Sequence, residues 1–325
     1  MEFKRLGVIG VGHLGQHHAR VYSEILGSQL VGVVDTNESR AESIGESLGV
    51  PFYSDVDEFI RKARPDAVSV VVPTVQHYEI AKKALLNGIH VLIEKPVTTT
   101  VSEAEDLLEI AAGSDLVLQV GHIERFNSAV QYISKIIRNP LFLQSRRLGP
   151  FSTRINDVGV VLDLMVHDID VILSLVKSDI KNISAIGRSI KSGHEDIASA
   201  QLSFKNGCMA HIYVSRVSER RLRQLEISEP QRYVTVNYET QDVSIHRCVR
   251  ENNNLMELIE HPVFPKKEPL KLELQHFVSC VREGKQPLVG IYDGKRVLEI
   301  AVTILKQIHQ ENCALPENDM HVKLS

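Results

Sequence analysis

The feature that most constrains this chain is a glycine loop set between a buried strand and a helix. Residues 6–9 form a short apolar run, the pattern of a buried parallel strand. They lead directly into Gly10-Val11-Gly12-His13-Leu14-Gly15, and a helical pattern follows over 14–26. A second apolar run over 30–35 closes on Asp35, 20 residues beyond Gly15. Gly10 permits the tight turn, Gly12 lets the backbone approach a pyrophosphate, and Gly15 lets the helix pack closely on the strand. Amide groups and the helix dipole then face the phosphates. Asp35 can accept hydrogen bonds from the adenosine ribose hydroxyls and would repel a 2′-phosphate, which favours NAD over NADP. The expected cofactor contacts in this stretch are therefore Gly10, Gly12, His13, Leu14, Gly15 and Asp35. Arg40, five residues beyond Asp35, reads as a surface helix charge.

The alternation continues. Helical patterns cover 38–48, 55–63, 77–87 and 102–112, and strand-like runs cover 67–73, 90–94 and 116–120, the last counted as the sixth strand. This is the signature of an α/β doubly wound parallel sheet. After about Gly121 the pattern changes. Residues 127–138 and 159–176 read as helices, and the segments from 183 to about 247 alternate and turn tightly. Lys205-Asn206-Gly207-Cys208 lies between strand-like runs over 198–204 and 209–214, a hairpin signal. Two amphipathic helices follow, over 272–283 and 294–308. The expected organisation is a dinucleotide-binding domain over 1–121 and an α+β domain with a mostly antiparallel sheet over 122–325, the second binding substrate and mediating self-association. A length of 325 residues suits two domains.

Composition narrows the function classes. The formal net charge of −4 offers no broad basic surface for nucleic acid or an anionic membrane. The densest basic stretch, 216–223, is broken by Glu219 and reads as a solvated or substrate-facing loop. No run approaches the ~20 apolar residues of a membrane span. The start of the chain runs directly into a strand, so no secretory leader and a cytoplasmic location are expected. Cys208, Cys248, Cys280 and Cys313 have no CxxC spacing, so reduced thiols are expected and no metal site.

Two elements carry candidate chemistry. Lys95 follows residues 90–94 at the carboxyl end of a strand, the edge that faces the ligand crevice in an open parallel sheet. By position alone it is either a turn lysine or a cation for a substrate hydroxyl. In the helix over 159–176, Asp163, His167 and Asp170 fall within about 60° at ~100° per residue. They form either a solvated polar face or a working acid–histidine pair. Both elements in one chain favour chemistry. Oxidising a secondary alcohol requires removal of the hydroxyl proton, which suits histidine at neutral pH. An ammonium stabilises the developing alkoxide, and an acid one turn away orients the imidazole.

These residues resemble the glucose–fructose oxidoreductase/inositol dehydrogenase (Gfo/Idh/MocA) family. The resemblance rests on Gly10–Gly15, Pro73-Thr74 with His77, Glu94-Lys95-Pro96, Asp163-x3-His167, and the tail segments at 273–277 and 284–288. It implies that Lys95 and His167 carry proton transfer and substrate positioning, with Asp163 as partner acid. It adds Thr74, His77, Glu94 and Lys95 as cofactor contacts. Residues 121–129 and 157–170 look like a narrower branch that oxidises the 3-hydroxyl of UDP-linked N-acetylamino sugars. In that branch an aminotransferase then installs nitrogen, on the way to lipid A or another surface glycan. That resemblance makes Arg125, Asn127 and Arg154 candidates for contacting diphosphate or sugar, with interdomain salt bridging as the other reading, and Lys95, Asp163 and His167 complete the expected substrate set. Met165 stands where many members have a small residue, which narrows or reshapes the floor of the site and weakens a simple polyol reading. An inositol, free-sugar or UDP-sugar uronate dehydrogenase, and a non-catalytic NAD or sugar sensor, are the alternatives. A homodimer or homotetramer is expected.

Overall fold

A computed structural model describes residues 4–152, 158–251 and 254–313. The chain divides into two compact units, Met1–Phe126 with Lys267–Leu298, and Asn127–Lys266 with Glu299–Ser325.

The first unit is built on six parallel strands in the order β3-β2-β1-β4-β5-β6. They are β1 (Lys4–Ile9), β2 (Ser28–Val34), β3 (Phe52–Tyr53), β4 (Ala67–Val70), β5 (His90–Glu94) and β6 (Leu118–Gly121). The order reverses around β1 and β4, and ligands of doubly wound sheets gather at such a switch point, beyond the carboxyl ends of the strands. Helices α1 (Gly15–Glu24), α2 (Glu38–Leu48), α3 (Val56–Ala63), α4 (His77–Leu86) and α5 (Val101–Ala112) connect the strands. Their starts follow local chemistry. Asn37 and Asp55 each accept a backbone N–H in the first turn, and Thr100 with Glu103 forms a reciprocal cap.

The six-stranded sheet agrees with the sequence expectation. Its one strand without a named run is β3, two residues long and mostly exposed, so it leaves no apolar pattern to read. The return of 267–298 has no counterpart in a contiguous division at 121/122. Helix α8 (Pro269–Glu283) places Leu270, Leu274, Phe277, Val278 and Val281 in one core with Leu6, Val8, Ala19 and Tyr22. Lys271 pairs with Glu24 at 2.7 Å, and Arg20 pairs with Glu268.

The second unit contains an eight-stranded sheet in the order β14-β13-β12-β11-β7-β10-β9-β8. The strands are β7 (Phe142–Leu148), β8 (Ile180–Arg188), β9 (Ile197–Phe204), β10 (Met209–Ser215), β11 (Leu222–Glu229), β12 (Arg232–Asn237), β13 (Asp242–Glu251) and β14 (Asn254–Glu260). All neighbours are antiparallel except β7 and β10. The hairpin at Asn206-Gly207 joins β9 and β10 as expected. Burial alternates along β7 and β9, so one face of the sheet is covered. The unit's helices are α6 (Ser128–Ile136), α7 (Val166–Val176) and the later turns of α9 (Ile291–Cys313).

A π-turn over Val161–Met165 precedes α7. The regular helix expected over 159–176 is therefore interrupted, and its polar face changes. Asp163 and His167 stay half-exposed, whereas Asp168 and Asp170 are buried. Asp168 accepts Arg147 Nε at 2.8 Å and the Ser145 hydroxyl at 2.6 Å on the covered face of β7. Removing one member of such a pair leaves an uncompensated buried charge. Asp168→Ala is expected to lower the unfolding free energy by about 3–5 kcal/mol. Replacing Arg147 by Met and Asp168 by Leu together should recover most of that loss. Denaturant midpoints of the two proteins check this, and equal destabilisation would refute it.

Candidate functional site

In the first unit the glycine loop lies at the carboxyl end of β1. Gly10 has φ +87°, and its amide donates to the Val34 carbonyl at 2.7 Å, tying β1 to β2 as the turn begins. A side chain at Gly12 would meet nothing nearer than Arg40 Nη1 at 3.9 Å, so its backbone is open to a ligand. His13 and Leu14 are exposed at the start of α1. A cavity of about 310 Å³ adjoins the loop, with Gly10, Gly12, Asp35, Arg40, Pro73 and Gln76 in its walls. Asp35 is fixed at its rim. One carboxylate oxygen accepts Val11 N–H at 3.0 Å and the other accepts Asn37 N–H at 2.9 Å. An open glycine backbone, a helix N-terminus and an oriented carboxylate beside a cavity of this size fit the adenosine and pyrophosphate of a dinucleotide.

Arg40 is exposed on α2, in keeping with its reading as a surface helix charge, but it also faces Asp35. The Asn37 cap starts α2 so that Arg40 lies in its first turn, and its Nη1 sits 3.3 Å from Asp35 Oδ2. The five-residue spacing was the available signal, but it becomes meaningful only once the cap fixes where the helix begins.

At the end of β5, Glu94 is buried and Lys95 half-buried. Glu94 Oε1 lies 3.2 Å from Nε2 of the buried His18, and Glu94 Oε2 accepts the Lys95 amide at 3.1 Å. His18 Nδ1 contacts the Ser69 hydroxyl at 3.2 Å, and the Tyr22 hydroxyl meets the same atom at 2.7 Å. Burial pushes the Glu94 carboxyl up, but the close His18 ring and the Lys95 charge outweigh it and hold it below the usual range. His122 is buried nearby and burial pushes it down to about 4, with Glu94, Arg125 and Lys95 among the charges it feels. The Glu94–Lys95 corner is therefore a charged group set on a buried network that sequence reasoning did not anticipate. Nothing in the apolar pattern of α1 distinguishes His18.

His77 is buried, with Nδ1 2.8 Å from the Pro96 carbonyl and Nε2 2.8 Å from the Val72 carbonyl. Its ring ties the chain after β4 to the turn after β5 rather than opening toward the cavity. Burial lowers its pKa, partly opposed by those two carbonyls. Thr74 is half-exposed at the head of a short 3-10 turn, Thr74–Gln76. Arg125 is half-buried.

In the second unit Asn127 is buried as the cap of α6. Its Oδ1 accepts Ala129 N–H at 3.1 Å and its Nδ2 donates to the Tyr238 carbonyl at 2.9 Å. Both groups of its amide are engaged inside the unit. Met165 is fully buried, so it packs in the core and does not form the floor of an open site there. Asp163 lines a small cleft at the start of the π-turn, and His167 follows one turn later. Arg154 lies outside the described residues. No group of three or more metal-binding side chains occurs among the described residues.

Comparison with known proteins places this geometry. Residues 4–122 match a family model described as an oxidoreductase family with an NAD-binding Rossmann fold, and residues 141–229 match the GFO/IDH/MocA C-terminal domain. The UDP-N-acetylglucosamine 3-dehydrogenase of Acidithiobacillus ferrooxidans is 35% identical over 303 residues, 92% of this chain and 96% of that protein. The scyllo-inositol 2-dehydrogenase (NAD(+)) of Bacillus subtilis is 29% identical over 319 residues, 92% of each chain. A solved structure of the Acidithiobacillus ferrooxidans UDP-N-acetylglucosamine 3-dehydrogenase superposes with a TM-score of 0.89 at 33% identity, covering 95% of this chain and 99% of that one.

Proposed function

The chain belongs to the Gfo/Idh/MocA oxidoreductase family, and from that premise we propose that it oxidises the 3-hydroxyl of UDP-N-acetylglucosamine to the 3-keto sugar. It is an NAD-dependent oxidoreductase acting on CH–OH groups. The observation that most supports the substrate is the near full-length similarity to a UDP-N-acetylglucosamine 3-dehydrogenase, which exceeds the similarity to the inositol enzyme.

Gly10, Gly12 and Gly15 would hold the pyrophosphate and Asp35 the adenosine ribose. Bound there, NAD would supply the hydride acceptor for the carbon that bears the hydroxyl. Lys95 presents a cation to the substrate oxygen and stabilises the negative charge that grows as its proton departs. His167 takes that proton, with Asp163 holding the imidazole in its working orientation. Glu94, kept ionised by His18 and Lys95, fixes the turn that carries Lys95. Arg125 is assigned to substrate contact. The protein works as a cytoplasmic homodimer or homotetramer, and its ketone product feeds amine installation for a surface glycan such as lipid A.

NADH absorbance on mixing with UDP-N-acetylglucosamine, with an aminotransferase coupled to remove the ketone, tests the substrate. Turnover of free inositols without turnover of the UDP-sugar would overturn it. Asp35→Ala is expected to weaken NAD by about 10- to 100-fold, the worth of hydrogen bonds to a charged group. It should also narrow the gap between NAD and NADP, because Arg40 then stands beside the ribose without its carboxylate. The KM ratio for the two cofactors checks this, and an unchanged ratio would refute it.

A further inference from the structure

The start of the π-turn is gripped by two buried residues of the loop between β8 and β9, Glu195 and Asp196. Glu195 Oε1 accepts the Val161 amide at 3.1 Å, and the Glu195 carbonyl accepts the Val160 amide at 3.0 Å. Asp196 Oδ1 accepts Arg216 Nε at 2.7 Å, and Arg216 Nη1 donates to the Val158 carbonyl at 2.9 Å. We propose that Glu195 is a positioning residue for the acid–histidine pair: it fixes residues 159–161, and they place Asp163 and His167. The inference rests on the proton-transfer reading of Asp163 and His167.

The route from Glu195 to those two side chains runs through the backbone. The Asp163 amide donates to the Gly159 carbonyl at 3.1 Å. The Val166 amide reaches the Val161 carbonyl, the five-residue bond of a π-turn, and His167 follows directly. A π-turn is rare, occurs mostly as a single turn, and is frequent at functional sites. The first amides of a helical segment have no partner inside it, so an outside acceptor decides where it begins. Glu195 accepts two of them, one with its main chain and one with its carboxylate. Its negative charge also suits the positive end of the segment.

The sequence is matched to this seat. A methyl group at Gly159 would lie 2.0, 2.1 and 2.2 Å from Oε1, Cδ and Oε2 of Glu195, its three nearest atoms. The carboxylate therefore fills the space that a side chain at 159 would need. Val160 and Val161 are fully buried, which fixes the next two residues in the core. The loop that carries Glu195 is itself held, because Asp196 Oδ2 accepts the amides of Ile190, Lys191 and Ser192 at 2.7, 2.6 and 3.0 Å. Glu195 thus reaches the π-turn from a fixed platform. Reacting groups displaced by about 1 Å can lose about 10²-fold in rate, so a grip on this turn bears on the chemistry.

Two measurements on the full-length protein, well below its Tm, test this. One is turnover of UDP-N-acetylglucosamine, or of the inositol that wild type oxidises in its place. The other is hydrogen exchange of the amides over 159–170. Glu195→Ala is expected to lower kcat by about 10- to 100-fold, with KM for NAD unchanged. Exchange should speed up by about tenfold or more, the worth of a hydrogen bond to a charged group. Glu195→Gln keeps an acceptor for the Val161 amide and should restore most of both losses. His194→Ala, an exposed neighbour in the same loop, should match wild type. Gly159→Ala should push the carboxylate off its seat and lower kcat by itself, which gives a second route if Glu195→Ala does not fold. It should add little to Glu195→Ala, since the space is then free. Wild-type kcat in Glu195→Ala, an equal loss in His194→Ala, or a full additional loss from Gly159→Ala on Glu195→Ala each overturns the role. So does Glu195→Gln with wild-type exchange and no recovery of kcat, because the carboxylate would then act by its charge and not through the turn. If His167→Ala loses kcat and Glu195→Ala does not, the positioning role falls and the proton-transfer reading stands. If Glu195→Ala opens the turn and loses kcat, Glu195→Gln restores both, and His167→Ala keeps kcat, the proton-transfer reading falls and Glu195 stands as the residue that places the turn.

Discussion

Lys95→Met is expected to lower kcat for UDP-N-acetylglucosamine oxidation by about 10²- to 10⁴-fold, the range for loss of a positioned proton-transfer or charge-stabilising group. Methionine keeps most of the side chain's length and removes only the ammonium. The cavity that fits the adenosine and pyrophosphate does not include Lys95, so most of the NADH affinity should remain. Glu94 complicates a simple reading, because the Lys95 charge helps to hold it ionised. His18, 3.2 Å from Glu94 Oε1, also favours the carboxylate, so Glu94 should stay anionic in the variant. A loss confined to kcat, with NADH fluorescence titrating as in wild type, supports catalysis by the ammonium. A loss of NADH binding in parallel would show that Lys95 holds the cofactor turn instead, and kcat within about tenfold of wild type would remove it from the chemistry.

What the sequence revealed follows the reach of each signal. The loop Gly10–Gly15 and Asp35 could be read because every step of that motif is set by the chain within a strand, a turn and a helix. Lys95 could be placed because the end of β5 is marked by the end of an apolar run. His77 and Asn127 could not be judged the same way. Each is polar, in a suitable position, and engaged by backbone groups distant in sequence, at Pro96 and Tyr238. Periodicity shows which face a side chain takes but not what lies opposite. The same limit hid the return of α8 to the first unit, since its apolar stripe fits any core. The π-turn over Val161–Met165 shows another limit: a wheel drawn at a constant angle grouped Asp170 with Asp163 and His167, and one irregular turn buries Asp170.

Gly15→Ala is expected to lose both cofactor binding and stability, whereas Gly12→Ala should lose only the first. A methyl group at Gly15 would lie 1.8 Å from the Gly10 carbonyl oxygen and 2.9 Å from its carbon. Neither side can retreat easily. Gly10 is tied to Val34, and Ile9 accepts the Val71 amide at 2.8 Å, so the loop is anchored to the strands on both sides of β1. On the other side, Ala19 and Tyr22 fix α1 in a core shared with Leu274 and Phe277. Helix α1 must therefore move outward by an appreciable fraction of an atomic diameter, and overpacking of this kind costs about 1–3 kcal/mol. Each kcal/mol lowers Tm by about 2–4 °C in a protein of this size class. The shift also carries the amides of the helix start away from the pyrophosphate, so NADH binding should weaken by about 100-fold or more. At Gly12 the nearest atom to an added methyl is 3.9 Å away and belongs to a flexible arginine, so the fold accepts it. The methyl instead occupies the space through which phosphate reaches the backbone. Thermal melts and NADH titrations of both variants separate the two roles. A Gly15→Ala protein that melts with wild type would refute the packing role, and a Gly12→Ala protein that binds NADH normally would refute the close approach of the pyrophosphate.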